Sequence, residues 1–251
     1  MIENVIHRST AADEHPRVGL DPAAGPVHEV LSVVFQVREQ VAHRSAELCV
    51  LLWQRALAPA RGTWSLPGGR LGDDENLMDS ARRQLAEKVD VREVRHLEQL
   101  SVFSEPGRVP GERRIASTFL GLVPIDGDPR LPVDTAWHAV ADLPDTAFDH
   151  GTMVSHARTR LAAKLSYTNI ACALAPTEFS MSTLRDIYCA ALGYQVDTTN
   201  LQRVLNRRRV IESTGRTAPP GPTGGRPAAL YRFRDTALRV TDEFAALRPP
   251  G

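Results

Sequence analysis

The sequence predicts an α/β protein: a sandwich built on a mixed sheet, followed by a smaller domain of helices and a hairpin. Three observations carry this. Strand-like and helix-like segments alternate through the first 165 residues. The composition shifts after Ser166, and two short amphipathic helices then precede a Gly/Pro-rich stretch that runs into a strand.

At 251 residues there is room for one medium domain and one small one. With 42% hydrophobic and 24% charged residues, the chain can bury a core and shows no bias toward disorder. Formal net charge is zero, but it is unevenly spread. From Ser166 onward there are 11 arginines, no lysine and 7 acidic residues, a net +4; the first 165 residues carry 19 basic and 23 acidic groups, a net −4. An acidic front and a basic back point to a nucleic-acid-facing C-terminal part. Cys49, Cys172 and Cys189 are few, far apart and set among apolar residues, so they read as buried thiols and suggest no disulfide framework or zinc site. No apolar run approaches the ~18 residues of a membrane span. Residues 1–27 are polar, broken by proline, and expected to form a loose arm without a signal-peptide core. The expected location is the cytoplasm.

The elements follow in order. HEVLSVVFQVR (28–38) and AELCVLLWQRA (46–56) are Val- and Leu-rich strands around a polar segment. Residues 59–69 form a turn-rich loop ending in a glycine pair. Residues 74–89 read as a helix, with Leu77, Ala81, Leu85 and Val89 as its apolar stripe and Asp73, Asp74 and Glu75 crowding its start. Strands are expected at 96–105, 113–124 and 134–140, and a helix over 149–165. The first domain is therefore placed at 28–165. Beyond it, 178–193 is an expected helix closed by Gly193. A second, 196–210, has Asp197 as N-cap and Leu201, Val204 and Leu205 as its buried stripe. Residues 213–234 read as a Gly/Pro-rich loop entering a strand. Two helices, a short turn and a long-tipped hairpin outline a winged helix-turn-helix at 166–240, with 241–251 as a tail.

The segment SLPGGRLGDDENLMDSARRQLAEKVDV (65–91) carries the first candidate site. It resembles the Nudix box, G-x5-E-x7-R-E-U-x-E-E-x-G-U with U aliphatic. Gly69, Glu75, Arg83, Leu85, Glu87 and Val91 fit, and WSLPGG (64–69) matches the usual lead-in. Gln84, Lys88 and Asp90 replace two carboxylates and a glycine. Positions 84, 87 and 88 share one helix face. In an active Nudix enzyme that face is implied to hold Mg²⁺ against a diphosphate and to help activate water. Here Gln, Glu and Lys sum to about zero charge, and Lys88 would repel a divalent cation or take its place. The resemblance thus implies a pocket that recognises a nucleoside diphosphate without hydrolysing it: no catalytic residue, no metal, no cofactor. A variant of this keeps weak hydrolysis with loop ligands such as Glu105 or Glu112.

The second candidate site is the polar face of the 196–210 helix: Thr198, Thr199, Asn200, Gln202, Arg203, Asn206 and Arg207. Asn and Gln pair with adenine and Arg with guanine, and a helix start favours a phosphate. Arg216, Arg226 and Arg232 punctuate the following loop and strand, as in a wing that lies along the DNA backbone.

Together the two domains resemble the Nudix-related transcriptional regulators, the NrtR family, over about residues 28–240. The degenerate box is usual there. The resemblance implies a Nudix-like α/β/α sandwich joined to a winged helix, in a homodimeric repressor of NAD biosynthesis genes that leaves palindromic operator DNA on binding ADP-ribose. It places the effector near Trp64, Gly68, Gly69, Arg70, Arg83, Glu87 and Lys88. The alternative is a Nudix hydrolase of ADP-ribose or a similar compound, its appended helices serving dimerisation. Trp53 reads as core, Trp137 carries no inference, and His28, His43, His96, His138, His150 and His156 show no metal spacing.

Overall fold

The computed structural model describes residues 25–40, 45–219 and 227–242. Most of the expected arm, most of the tail, His43 and Arg226 lie outside them.

The sheet is organised around the long strand β1 (Val27–Gln40). It pairs antiparallel with β2 (Ser45–Gln54), with Phe35 opposite Val50, and antiparallel with the short β4 (Gly68–Arg70), with Val30 opposite Gly69. On its other edge it runs parallel to β6 (Arg114–Leu122), with Leu31 opposite Thr118. β5 (His96–Phe103) continues antiparallel beyond β6. β3 (Trp64–Ser65) and β7 (Thr135–Ala139) both pair with β2. The mixed sheet expected from the sequence is present.

The apolar residues of β1 lie on both of its faces because both are covered, and its side chains divide by the period of two. Leu31, Val33, Phe35 and Val37 join the large cluster under the second helix, while Val30 and Val34 face the first. That first helix is α1 (Leu77–Val89), whose Ala81, Leu85 and Val89 are fully buried as the stripe requires. It begins three residues later than expected. Asn76 is the N-cap, its Oδ1 accepting from the Met78 and Asp79 N–H groups, each at 3.0 Å, and the carboxylates before it do other work. α1 ends on Asp90 at φ 51°, the left-handed cap that explains why the box calls for glycine here and tolerates aspartate.

α2 (His150–Tyr167) covers the opposite face of the sheet with Met153, Val154, Ala157, Leu161 and Leu165. The second half of the chain then packs directly onto the first. α3 (Met181–Leu192) lies against β2 and β1, and its Leu184, Ile187 and Tyr188 share one continuous core with Leu31 and Phe35. α4 (Thr198–Arg207) adds Leu201, Val204 and Leu205 to that core. The expected boundary between 165 and 166 therefore falls inside α2, beside a core that crosses it.

Three expectations change in this half. Helix α3 starts at Met181 and not at 178, because β8 (Phe179–Ser180) is a two-residue strand pairing with β10, and Ser180 caps the helix through its Oγ to the Thr183 N–H at 3.1 Å. α4 is shorter than 196–210 at both ends, although Asp197 is its cap and Gly193 closes α3, as expected. Cys189 is half-buried, while Cys49 and Cys172 are buried. β9 (Ile211–Thr217) and β10 (Ala229–Phe233) form the hairpin. After it the chain returns to the end of α2. There Asn169 donates to the Asp235 and Ala237 carbonyls at 3.0 and 2.8 Å and accepts from the Arg239 N–H at 2.7 Å. Among the described residues no helix is long and apolar enough to cross a membrane.

Candidate functional sites: a cationic cleft and an exposed polar helix

The Gly68–Gly69 pair brings the box against β1. A Cβ on Gly68 would stand 2.2 Å from the Val30 carbonyl oxygen and 2.9 Å from the Leu31 Cα, so only glycine allows this approach. Glu75, just ahead of the helix, accepts from the Gly72 N–H at 2.7 Å and forms a forked pair with Arg83, at 2.8 Å to Nε and 2.6 Å to Nη2. The Arg83 Nη1 reaches Glu87 at 3.1 Å. The Arg83 guanidinium holds the Glu75 carboxyl down to about 2, with the Gly72 N–H assisting. The two matching box carboxylates are thus both taken by the box arginine.

Two of the three substituted positions, Gln84 and Lys88, reach the glycine loop. Gln84 is buried, and its Nε2 donates to the Arg70 carbonyl at 3.2 Å. The stem of Lys88 lies on the exposed flank of α1, but its ammonium donates to the Gly68 carbonyl at 2.5 Å and sits 5.4 Å from the Trp53 ring centroid. Partial desolvation lowers the Lys88 pKa, and the positive charges of Arg83 and Arg55 lower it further.

This ammonium lies in a cleft of about 220 Å³. Gly68, Gly69 and Lys88 line it, joined by Arg55 at the end of β2, Arg114 at the start of β6, and Glu29 on β1. Trp53, Phe148 and His150 supply aromatic wall. The Arg55 guanidinium stacks 5.0 Å from the Phe148 ring centroid. Desolvation, then the charge of Arg114, lowers the Arg55 pKa. Phe148 is held at φ 55°, a backbone conformation rare for a bulky side chain and a local sign of strain beside the cleft. Glu29 is buried and already doubly paired, with Arg108 Nη1 at 2.5 Å and Arg114 Nη1 at 3.3 Å. The Arg108 side chain, 2% exposed, also grips Asp149 through Nη2 at 2.7 Å, tying the 104–113 loop to the start of α2. His150 is buried and accepts the Leu66 N–H on Nδ1 at 3.0 Å, which places its proton on Nε2. Burial pushes its pKa down to about 3.

Of the seven effector residues expected from the sequence, Gly68, Gly69 and Lys88 line the cleft. Arg83 and Glu87 lie in the ion-pair triad alongside it. Arg70 points to Glu112 at 2.9 Å. Trp64 packs edge-on against His138, with ring centroids 4.2 Å apart. Trp53, expected in the core, is only partly buried and takes the cleft-lining place, its Nε1 donating to the Leu66 carbonyl at 3.0 Å. Arg55, Arg114, Glu29 and Phe148 were not singled out from the sequence. The one signal for Arg55 was its place at the end of a strand ahead of the Gly-rich loop. Glu112, a possible loop ligand, is engaged by Arg70 and by Arg114 at 3.4 Å. Among the described residues no group of three or more His, Cys, Asp and Glu side chains is placed to hold a metal ion.

The polar face of α4 is open. Thr199, Asn200, Arg203, Asn206 and Arg207 are exposed, and Thr198 and Gln202 half-buried. Asp197 already accepts the Asn200 N–H at 2.7 Å, so a phosphate at this helix start would meet a carboxylate beside the threonines. Arg203 donates to Asn200 at 2.8 Å, and Gln202 to the Tyr231 hydroxyl at 2.9 Å, which joins the helix to the hairpin. Arg216 pairs with Glu178 at 3.0 Å and Arg232 with Glu212 at 2.8 Å. Behind the helix, Arg208 is buried against Asp242 at 2.7 Å and donates to the Ser166 carbonyl, in the last turn of α2, at 2.9 Å.

Comparison with known proteins agrees with this two-part layout. Residues 28–157 match the NUDIX domain family, and residues 171–233 match the NrtR DNA-binding winged helix domain. The ADPR responsive transcriptional repressor NtrR of Acinetobacter baylyi is 33% identical over 196 residues, spanning 74% of this chain and 76% of that protein. The crystal structure of Shewanella oneidensis NrtR superposes with a TM-score of 0.70 at 27% identity, covering 83% of this chain and 94% of that one. The same protein complexed with a 27mer DNA gives 0.69 at 27% identity, covering 82% and 93%.

Proposed function

Because the chain belongs to the NrtR family, a NUDIX domain followed by an NrtR winged helix, we propose that it is a transcriptional repressor of NAD-metabolism genes, released from operator DNA by ADP-ribose bound in the box cleft. The Acinetobacter relative is an ADP-ribose-responsive repressor, and the Shewanella structure holds DNA. A regulator and not an enzyme is the role these relatives favour.

One observation carries the assignment for this chain: the catalytic face of the box is closed upon itself while the polar face of α4 stays open. Glu75 and Glu87 are bound to Arg83, and Lys88 stands on the Gly68 carbonyl. The exposed Arg203, Asn206 and Arg207 are free of carboxylate partners among the described residues, so they can meet bases and phosphates. Of the remaining effector candidates, Arg70 and Arg83 lie close enough in sequence to the cleft glycines and Lys88 to take part if their pairs with Glu112 and Glu75 open on binding.

α2 supplies the mechanical link. It begins at His150 in the cleft wall and ends at Tyr167, next to the Ser166 carbonyl that anchors Arg208 at the end of α4. Its 18 residues span about 27 Å. In a homodimer on a palindrome the two recognition helices must stand about 34 Å apart. A ligand that prefers one setting of α2 changes that spacing and lowers DNA affinity by linkage. Such a regulator works in the cytoplasm, on chromosomal DNA.

The test is selection of bound fragments from the protein's own genomic DNA, beside an assay of ADP-ribose with Mg²⁺ for AMP formation. Recovery of a palindromic site near NAD-pathway genes, with no AMP released, is expected. Turnover without selected DNA would replace this assignment with a hydrolase.

A further inference from the structure

The Nudix fold implies a divalent metal in the box, and the residues present do not fit one. A metal needs several oxygen ligands converging on open space. Here the side chain of Gln84 is buried and directed at the Arg70 carbonyl, Glu87 is paired with Arg83, and the Lys88 ammonium occupies the Gly68 carbonyl. A Cβ on Gly69 would stand 2.8 Å from the Lys88 Nζ and 2.9 Å from the Gln84 amide, so those two side chains fill the space between helix and glycine loop.

We propose that this cleft binds a diphosphate with no metal at all, held directly by Arg55, Lys88 and Arg114, with the Lys88 ammonium doing the charge neutralisation that a divalent ion does in a hydrolase. The proposal rests on the effector role assigned above and deepens it, by naming what recognises the diphosphate.

The charge pattern of the cleft is the main argument. Arg55, Lys88 and Arg114 gather around one volume whose only lining carboxylate among the described residues is Glu29, and Glu29 is already shared between Arg108 and Arg114. Neither Arg55 nor Lys88 has an ion-pair partner among the described residues: Arg55 rests on the Phe148 face and the Pro59 carbonyl, Lys88 on Gly68 and Trp53. Like charges collected in a partly desolvated cleft repel one another, and an anion relieves that repulsion. The surplus of two positive charges matches the one negative charge on each phosphate of a diphosphate diester. Arg114 is held at 3.3 and 3.4 Å by Glu29 and Glu112, long contacts from which a guanidinium can turn toward a phosphate at small cost.

Such a site is chemically distinct from a metal site. Hydrogen bonds from ammonium and guanidinium hold the phosphates without polarising water, so binding and hydrolysis are separated by construction.

The experiment is calorimetry of the full chain with ADP-ribose and with inorganic pyrophosphate, in EDTA and again in Mg²⁺. ADP-ribose affinity should be the same in EDTA as in Mg²⁺. Lys88→Met should weaken it on the order of tenfold, as loss of one charge-assisted contact does. Arg55→Gln, at the cleft rim, should do the same and serves as the second test if Lys88→Met lowers the melting temperature. Binding that needs Mg²⁺, or binding that both variants leave unchanged, overturns the proposal. Pyrophosphate bound in EDTA through Arg55 and Lys88 upholds the metal-free site even where ADP-ribose fails to release DNA; that result removes the effector assignment alone.

Discussion

Glu87 and Lys88 are neighbours on α1, yet one turns outward to Arg83 and the other inward to the Gly68 carbonyl. That divergence was half legible in the sequence. The i, i+3, i+4 spacing of Gln84, Glu87 and Lys88 put them on one face and gave the charge of that face. It did not give the partners. Arg55 and Arg114 come to Lys88 because β1 pairs with β2 on one edge and β6 on the other, a juxtaposition that no local pattern encodes. In the sequence His150 is one of several scattered histidines; its burial in the structure gives it a pH-dependent role. Its folded pKa, about 3, lies below the ordinary 6.5, so the unfolded chain takes the proton first. Stability is fully present above pH 6.5 and falls as pH drops from there toward 3. His150→Asn keeps an acceptor at the Nδ1 position for the Leu66 N–H and should flatten that part of the stability–pH curve, measured by urea unfolding. An unchanged slope would remove His150 as its source.

At the scale of elements, α4 keeps the faces and the cap that the sequence indicates, although it is shorter at both ends, because its polar and apolar faces are cleanly divided and its cap is a single aspartate. Arg203 is exposed and its side chain donates to Asn200, one turn away on the same helix, so Arg203→Ala should leave the melting temperature nearly unchanged while weakening operator binding by about 1–3 kcal/mol. Equal affinity in an anisotropy titration would take Arg203 off the DNA face. Leu201 is the opposite case: it is fully buried in the common core, and Leu201→Ala should cost about 2–5 kcal/mol of stability, read from the urea midpoint. The cap of α1 offers a gentler change. Asp90 holds φ 51° in place of the glycine of the box, and Asp90→Gly should be neutral or stabilising by about 0.5 kcal/mol in the same unfolding assay. A clear loss would mean that the Asp90 side chain contributes more than its backbone strain costs. β8 escaped the sequence because two residues show no periodicity; its pairing with β10 is a tertiary event.

The whole molecule is more integrated than its composition indicates. The charge change at Ser166 falls in the gap between the two family matches, 28–157 and 171–233. Apolar residues ignore it: Phe35, Leu161, Ile187 and Leu205 belong to one cluster. All three tryptophans lie in the first part of the chain, whereas α3 and α4 lie in the second. Unfolding followed by tryptophan fluorescence and by far-UV circular dichroism should therefore give coincident transitions. Separate midpoints would show two independent domains and weaken the route from cleft to recognition helix through α2. That route is tested by fluorescence anisotropy of labelled operator DNA saturated with the protein, titrated with ADP-ribose in EDTA at fixed salt. Anisotropy should fall to the free-DNA value as the cleft fills. Anisotropy that stays high at ADP-ribose concentrations where calorimetry shows the cleft occupied would contradict it.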